Sequence, residues 1–233
     1  LDAILGRVRT DEWDNDYENL PTKLSSRFYN NGKFYGLLKK LYKIYCDIVG
    51  PFHILPDFLI LGPTDCGITS MLELYLRSNE NILPSKHNEI HYFDRKHTNS
   101  INWYKVLFPS IFTRKIRSII GKKTLTCDGT GSYILDPHAP KRIKKIIPDV
   151  KFVVMLRNPT DRTLSNYKRR IRNTREKRAV EEVIEYELNN FKKEFQEYVK
   201  NENEIAFYPF TSYLARSRYV EQIEIWLRYF PKE

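Results

Sequence analysis

The chain has 233 residues, of which 41% are hydrophobic, so it is long enough to bury one sizeable core, and its composition gives no sign of two domains. Its 39 lysines and arginines outnumber its 29 aspartates and glutamates. The formal charge of +10 favours anionic partners, such as nucleotides, sulfated or carboxylated glycans, nucleic acid or acidic lipid. The scattered cysteines, Cys46, Cys66 and Cys127, form no CxxC pair, so neither a zinc ribbon nor a disulfide framework is expected. No apolar run approaches the roughly 18 to 20 residues of a membrane span, and no signal-peptide pattern opens the chain.

Residues 1–55 are predicted to form an N-terminal helical extension. Within it, apolar residues recur at helical spacing beside lysines; they are Phe34, Leu37, Leu38, Leu41, Tyr42 and Tyr45, next to Lys39, Lys40 and Lys43. A basic amphipathic helix can bind a membrane or an acidic partner. We expect this one to pack on the outside of the domain.

Residues 56–233 show strands that alternate with helices. Buried strands are predicted over 57–62, 124–127 and 151–156, and a basic helix over 141–147 separates the second from the third. Further helices are predicted after the first strand, after the third strand, over 180–195 and over 219–227. This order favours an α/β fold with a central parallel β-sheet flanked by helices.

The first predicted strand runs into a loop, Gly62 to Thr69, with the sequence GPTDCGIT. Its spacing is that of a phosphate-binding P-loop, G-x-x-x-x-G-K-[ST], except that Ile68 replaces the lysine. The backbone N–H groups of residues 67–70, at the start of a helix, can still hold a phosphate without magnesium. A turn without any ligand is the alternative. The missing lysine disfavours a kinase or a triphosphatase.

A second polar segment, LRNPTDRTLSNY, follows the third predicted strand. Asn158 is a good N-cap and Pro159 suits the first helical position, so a helix is predicted to begin there. Arg157 would then lie at the end of the strand and Ser165 two turns into the helix. Both could face the crevice in which α/β sheets bind ligands. A guanidinium and a hydroxyl suit a terminal phosphate.

The two segments together resemble the sulfotransferases that use 3′-phosphoadenosine 5′-phosphosulfate, in particular the heparan-sulfate-like branch. That family has a loop written K-x-G-T-T-x-L and a later segment written R-[DN]-P-x-x-R-x-x-S-x-Y. The later segment is matched at Arg157, Asn158, Pro159, Arg162, Ser165 and Tyr167. The resemblance runs from about residue 56 to residue 230 and includes the stretches DGTGSY, PDVKFVVMLRNP and YVEQIEIWLRYFP.

The resemblance implies a P-loop-like nucleotide-binding fold and a metal-free transfer of a sulfuryl group from this donor to a hydroxyl or amine. It implies an anionic or carbohydrate acceptor and no nucleic acid. The implied donor-binding residues are Gly67, Ile68, Thr69 and Ser70 for the 5′-phosphosulfate, and Arg157 and Ser165 for the 3′-phosphate. Related enzymes carry a further closing segment, so the domain at 56–233 is expected to be incomplete at its C-terminus. The expected compartment is the cytoplasm for a prokaryotic source and the Golgi lumen for a eukaryotic one.

Residues 87–94, HNEIHYFD, are similar to the family's K-E-x-H-F-F-D run. The similarity implies that Glu89 is the catalytic base, with His91 and Asp94 shaping its surroundings or touching the acceptor. Strand-like alternation would put Glu89, His91 and Phe93 on one side. A zinc site is disfavoured, since H-E-x-x-H needs the glutamate directly after the first histidine. A purely structural Glu89–His91 pair stays an alternative.

The loop departs from the family pattern at Asp65, which occupies the place of the lysine that contacts the sulfate and the leaving phosphate oxygen. An ionised acid there would repel the donor. Two functions therefore remain open: a sulfotransferase, and a non-catalytic relative that binds nucleotide or glycan. Asn88 likewise replaces the lysine that precedes the family's glutamate, and Lys86 lies close enough in sequence to substitute.

Two further groups have open interpretations. The basic cluster after the second motif could bind a polyanionic acceptor or nucleic acid, or be solvated helix surface; it comprises Lys168, Arg169, Arg170, Arg172, Arg175, Lys177 and Arg178. Four aromatic residues, Tyr92, Phe93, Trp103 and Tyr104, could line an acceptor cleft. We expect at least half of them to pack in the core.

Overall fold

The structure, a computed structural model, describes residues 32–200 and 212–231. The first 31 residues of the predicted helical extension therefore lie outside the described part. Helix α1, Gly32–Val49, contains the predicted amphipathic pattern and leads into a 3-10 turn, Gly50–Phe52. It buries Cys46, while Leu41 and Ile48 on its other side are more than half exposed. None of the helices in the described ranges is both long enough and apolar enough to cross a bilayer.

Three parallel strands form the central sheet. They are β1 (Phe58–Leu61), β2 (Cys127–Asp128) and β3 (Lys151–Val154), in the order β2-β1-β3. Phe58 pairs with Cys127 on one side and with Lys151 on the other. All three predicted strands are present, but the second is shorter than expected. The first half of the predicted strand 124–127 pairs with residues 81–83 and not with β1, since Leu125 exchanges backbone hydrogen bonds with residues 81 and 83.

Helices surround the sheet. Helix α2 begins with one α-helical turn, Ile68–Ser70, and continues as a π-helical segment, Met71–Leu76. The other helices are α3 (Ile101–Lys105), α4 (Ile111–Ile119), α5 (Ala139–Ile146), α6 (Pro159–Arg172), α7 (Val180–Lys200) and α8 (Tyr219–Leu227), with 3-10 turns at Gly131–Leu135 and Ala215–Ser217. The α/β fold with a parallel sheet flanked by helices is thus confirmed.

Strand β1 is buried on both of its faces, as expected of a central parallel strand. Leu59 and Leu61 face a large cluster that is rich in aromatic side chains, whereas Ile60 faces a small cluster with Leu72 and Cys127. Tyr92, Phe93 and Tyr104 are fully buried in the large cluster, and Trp103 packs against it. Three of the four aromatic residues therefore belong to the core, and Trp103 packs against it while it remains partly exposed.

Candidate active site

The loop after β1 is shaped by three residues with left-handed or otherwise unusual backbone. Gly62 has φ 156°, Asp65 has φ 72° and Gly67 has φ 88°. A Cβ atom on Gly62 would lie 2.3 Å from the carbonyl oxygen of Met155, which follows β3. Only glycine therefore fits at residue 62, where the loop passes close to the end of β3 before α2 begins after Gly67.

Ile68, at the P-loop lysine position, directs its side chain into the protein. Its Cδ1 atom would lie 2.2 Å from a Cβ on Gly131 and 3.2 Å from one on Gly62, so the side chain fills the space that these two glycines leave. It packs there with Leu72 and Met155. Of the four loop residues predicted to bind the donor, Ile68 can offer only its backbone N–H. The other three, Gly67, Thr69 and Ser70, are exposed.

The second motif lies beside this loop. The side chain of Asn158 accepts hydrogen bonds from the amides of residues 160 and 161 and so caps α6. Arg157 precedes the cap, and its Nη1 donates to the carbonyl oxygen of Asp65 over 3.4 Å. Ser165 lies in the second turn of α6 and is half-buried. The neighbouring residue Asn166 reaches the loop itself, as described next.

The carboxylate of Asp65 is not free, because two side chains of α6 contact it. The Nδ2 group of Asn166 donates to its Oδ2 over 2.9 Å. The guanidinium of Arg169 lies beside both oxygens, with Nε 3.2 Å from Oδ1 and Nη2 3.5 Å from Oδ2. The expected repulsion of an anionic donor by Asp65 is therefore opposed by a cation in direct contact with it.

A third arginine reaches the loop from the C-terminal part of the chain. Nη1 of Arg216 donates to the hydroxyl of Thr64 over 3.2 Å. Together with Arg157 and Arg169, three guanidinium groups contact two consecutive loop residues that carry one carboxylate. The loop is thus contacted by guanidinium groups although it lacks both lysines of the related patterns.

Glu89 and His91 lie together, but strand alternation is not the reason. Residues 87–94 form bends and turns, and His91 has the left-handed φ of 58°. Its Nε2 lies 3.4 Å from a carboxylate oxygen of Glu89, while its Nδ1 lies 2.9 Å from Oδ2 of Asp94. Phe93, predicted on the same side, is buried in the core instead. The Glu89 side chain is 55% exposed and so accessible to an acceptor.

The charges around His91 fix the protonation of the pair. Burial alone would lower the pKa of His91, but the charge of Asp94 and the hydrogen bonds that His91 donates to Asp94 and Glu89 outweigh it and raise this pKa to about 9. The hydrogen bond from His91 in turn lowers the pKa of Glu89. At neutral pH His91 is therefore an imidazolium, and Glu89 is a carboxylate able to accept a proton.

A buried network positions this segment, and its members were not recognised from the sequence. The hydroxyl of Thr130 accepts the amide of Ile90 over 2.8 Å and donates to Oδ1 of Asp128 over 2.6 Å. The phenol of Tyr133 accepts the amide of Tyr92 and donates to Oδ2 of Asp128, each over 2.9 Å or less. Both hydroxyls come from the DGTGSY stretch, whose similarity to the family was the only available signal.

The same stretch also holds the loop. The amide of Gly62 donates to the carbonyl oxygen of Gly131 over 3.1 Å. Thr130, the residue before Gly131, carries the hydroxyl that holds the segment with Glu89. The predicted donor loop and the predicted base are therefore fixed by two consecutive residues.

The remaining candidates lie elsewhere or have structural roles. Lys86, expected to substitute for the lysine that Asn88 replaces, donates to the carbonyl oxygen of Val106 over 2.9 Å. Arg162 is fully buried and binds Ser217 and the backbone of Tyr213, which makes it an anchor for the segment before α8. Burial raises the pKa of the Cys66 thiol, in keeping with a packing role.

Within the described ranges, no three His, Cys, Asp or Glu side chains are grouped in a way that could hold a metal ion.

The basic cluster divides into paired and exposed members. Arg169 pairs with Asp65 and Arg178 pairs with Glu176, whereas Lys168 and Arg172 are exposed on α6.

Comparison with known proteins agrees with this geometry. Residues 55–233 match the family described as "Sulfotransferase domain". The chain belongs to this sulfotransferase family. Its relatives place it in the heparan-sulfate-like branch: it is 30% identical over 179 residues to heparan sulfate glucosamine 3-O-sulfotransferase 3B1 of Homo sapiens, an alignment that covers 76% of this chain and 39% of that protein.

Two further relatives align over shorter stretches. Heparan sulfate glucosamine 3-O-sulfotransferase 6 of Homo sapiens is 34% identical over 112 residues, which cover 48% of this chain and 30% of that protein. The membrane-associated sulfotransferase kil1 of Dictyostelium discoideum is 29% identical over 120 residues, which cover 52% of this chain and 24% of that protein. The chain thus spans less than two-fifths of the length of these relatives.

A solved structure has the same fold. The crystal structure of a sulfotransferase from Alicyclobacillus acidocaldarius superimposes with a TM-score of 0.50 and 25% sequence identity, covering 77% of this chain and 70% of the other. The P-loop-like α/β fold is therefore that of the sulfotransferases.

Proposed function

We propose that the protein binds 3′-phosphoadenosine 5′-phosphosulfate at the loop 62–70 and transfers its sulfuryl group to a hydroxyl or amine of a carbohydrate. One observation carries the proposal: Gly131 holds the loop, and the adjacent Thr130 holds the segment with Glu89. This arrangement brings an anion-binding loop and an ionised carboxylate to one region of the protein. In this proposal residues 56–233 are the sulfotransferase domain and residues 1–55 are its N-terminal helical extension.

The donor would be bound without a metal, through backbone amides and guanidinium groups. The exposed start of α2 offers the amides of Gly67, Ile68, Thr69 and Ser70 to the 5′-phosphosulfate. Arg157, already at the loop, and Ser165 would bind the 3′-phosphate. The geometry supports these roles because α6, which carries Ser165, is attached to the loop through Asn166.

Glu89 would act as the general base. The acceptor oxygen or nitrogen attacks the sulfur atom and forms a new bond to it, while Glu89 takes the proton from the acceptor. The bond between sulfur and the phosphate oxygen breaks, and that oxygen keeps the electron pair. The products are the sulfated acceptor and 3′-phosphoadenosine 5′-phosphate. His91 keeps Glu89 ionised before the transfer, because its imidazolium lowers the pKa of the glutamate.

A carbohydrate acceptor is favoured over a nucleic acid by the relatives that are heparan sulfate glucosamine 3-O-sulfotransferases. The exposed cations Lys168 and Arg172 would attract an anionic acceptor. The proposed compartment is the cytoplasm for a prokaryotic source and the Golgi lumen for a eukaryotic one.

A second candidate is a non-catalytic relative that binds nucleotide or glycan. Asp65 favours it, since this acid stands where the family has a lysine for the leaving phosphate. Such a protein would bind donor and product without transferring the sulfuryl group.

Calorimetry and a transfer assay together test the proposal. The protein should bind 3′-phosphoadenosine 5′-phosphate in the presence of a metal chelator, and ATP with magnesium should not compete. It should also move ³⁵S-labelled sulfate from the donor to heparan sulfate or its desulfated form. Binding of the nucleotide with no transfer would identify the non-catalytic relative, and failure to bind the product nucleotide would refute the transferase and leave only a relative that binds glycan.

A further inference from the structure

We infer that Arg169 supplies the positive charge that the loop lysine supplies in the family, and that Asp65 is the residue that holds Arg169 there. The inference rests on the proposed function and concerns the same donor site. It assigns the acid at residue 65 a positioning role instead of a disabling one.

The contacts of Asp65 support this role. Its carboxylate is bound on one side by Asn166, at 2.9 Å, and contacted on the other by Arg169, at 3.2 Å. Both partners lie on α6, three residues apart and therefore on one face of the helix. Asp65 is thus a short bridge between the loop and this face of α6.

The backbone of the loop also suits an acid. Asp65 has φ 72°, a region that aspartate and asparagine enter more readily than lysine does. Its carbonyl oxygen accepts a hydrogen bond from Arg157. The residue is consequently fixed through its main chain and its side chain at once.

Arg169 is placed to act on the donor. Ser165, proposed to bind the 3′-phosphate, lies four residues earlier in α6, so the two side chains are neighbours on the helix surface. A guanidinium has five N–H donors, and the contacts with Asp65 involve only Nε and Nη2. The Arg169 side chain is 40% exposed, which leaves Nη1 able to reach an anion at the loop.

The chemistry of the leaving group requires such a cation. When the bond from sulfur to the phosphate oxygen breaks, negative charge develops on that oxygen, and a nearby guanidinium stabilises it by a charge-assisted hydrogen bond. Arg169 would provide this bond from α6, whereas a lysine at residue 65 would provide it from the loop.

A double-mutant cycle on the whole protein tests the inference. The variants are Asp65→Asn, Arg169→Ala and the combination of both, and the readout is the dissociation constant of 3′-phosphoadenosine 5′-phosphate. Arg172→Ala is the matched control, because it removes an exposed arginine of the same helix. Arg169→Lys keeps the charge, and circular dichroism verifies the fold of each variant.

We expect Arg169→Ala to weaken nucleotide binding at least about tenfold and Arg172→Ala to change it less than about twofold. Asp65→Asn should weaken binding when Arg169 is present and strengthen it in the Arg169→Ala background, where only the repulsion remains. The nucleotide affinity of the Arg169→Lys variant should lie between that of the parent protein and that of the Arg169→Ala variant. If transfer is measurable, Arg169→Ala should also lower kcat.

Two results would overturn the inference alone. One is equal binding by the Arg169→Ala and Arg172→Ala variants. The other is stronger binding by Asp65→Asn in both backgrounds, which would show that the acid only repels the donor. A parent protein that binds no nucleotide would instead refute the donor assignment of the proposed function, and the inference with it.

Discussion

The hydroxyl of Thr130 lies 2.6 Å from Oδ1 of Asp128, and both residues are fully buried. Through this contact, the short strand β2 determines where the segment with Glu89 lies. Thr130→Val keeps the shape of the side chain but leaves the amide of Ile90 without its acceptor. We expect a loss of about 1–3 kcal/mol in the free energy of unfolding and a lower kcat, with little change in nucleotide affinity.

Thr126→Val is the matched control for Thr130→Val. Thr126 is equally buried, but its hydroxyl has no hydrogen-bond partner in the described part of the chain. Its replacement should leave the unfolding free energy unchanged or raise it. Urea denaturation of both variants would contradict the assignment if the two changes had equal effects.

Glu89→Gln tests the proposed base. The amide keeps the size of the side chain but cannot accept the acceptor's proton, so turnover should fall by about 10²- to 10⁴-fold while nucleotide binding stays near that of the parent. Glu80→Gln, which alters an exposed ion pair with Lys122, should leave turnover unchanged. Full activity of the Glu89→Gln variant would mean that another group takes the proton.

Arg157→Ala tests the proposed 3′-phosphate site. The variant should weaken 3′-phosphoadenosine 5′-phosphate by about 1.5–3 kcal/mol, as loss of a hydrogen bond to a charged group does, and should affect adenosine 5′-phosphate much less. Ser165→Ala should show the same selectivity with a smaller effect. Calorimetry with the two nucleotides measures the difference, and equal weakening of both would place Arg157 elsewhere.

The raised pKa of His91 predicts how stability depends on pH. Because this pKa is about 9 in the folded protein and about 6.5 in an unfolded chain, the contribution of His91 is fully present below about pH 6.5 and is lost as the pH rises through 9. The lowered pKa of Asp94 has the opposite sign, so its contribution is lost at acidic pH.

His91→Asn removes the charge but tolerates the left-handed backbone at this position. The difference in unfolding free energy between parent and variant should be largest near pH 6 and shrink towards pH 10. Urea denaturation across this range measures it. A difference that is constant with pH would show that the pKa of His91 is the same in the folded and the unfolded protein.

Gly131→Ala tests the contact that attaches the loop at Gly62 to the stretch holding the segment with Glu89. The added Cβ would lie 2.5 Å from the carbonyl oxygen of Gly62 and 2.2 Å from Cδ1 of Ile68. We expect the unfolding free energy to fall by about 1–3 kcal/mol and nucleotide affinity to fall with it. Gly36→Ala is the control, because nothing lies within 4 Å of its added Cβ in α1; it should stabilise the protein by up to about 1 kcal/mol.

The sequence pattern was sufficient for the fold because strands and helices alternate with strong periodicity. The N-cap at Asn158, the start of α6 and the meeting of Arg157 with the loop all followed from residue types at fixed spacing. The inward direction of the Ile68 side chain could not be predicted from the sequence, since it depends on two glycines, Gly62 and Gly131, that are far apart in sequence.

Two features of the site could not be predicted for a related reason. The partners of Asp65 come from residues more than 100 positions later, and no local pattern indicates which arginine of the basic cluster on α6 would reach it. The pairing of Glu89 with His91 was expected from strand alternation, but a left-handed residue within a turn produces it. Contacts between distant segments and single unusual backbone angles leave little trace in periodicity.

The attachment of the loop to later parts of the chain also sets an order of events during synthesis. Residues 58–67 leave the ribosome about a hundred residues before Asn166 and Arg169, and Arg216 follows later still. Until these side chains emerge, the left-handed conformation at Asp65 lacks the contacts that support it. The nascent chain can therefore carry the anion-binding loop long before that loop has its final shape, and the site matures only when α6 and the segment before α8 dock.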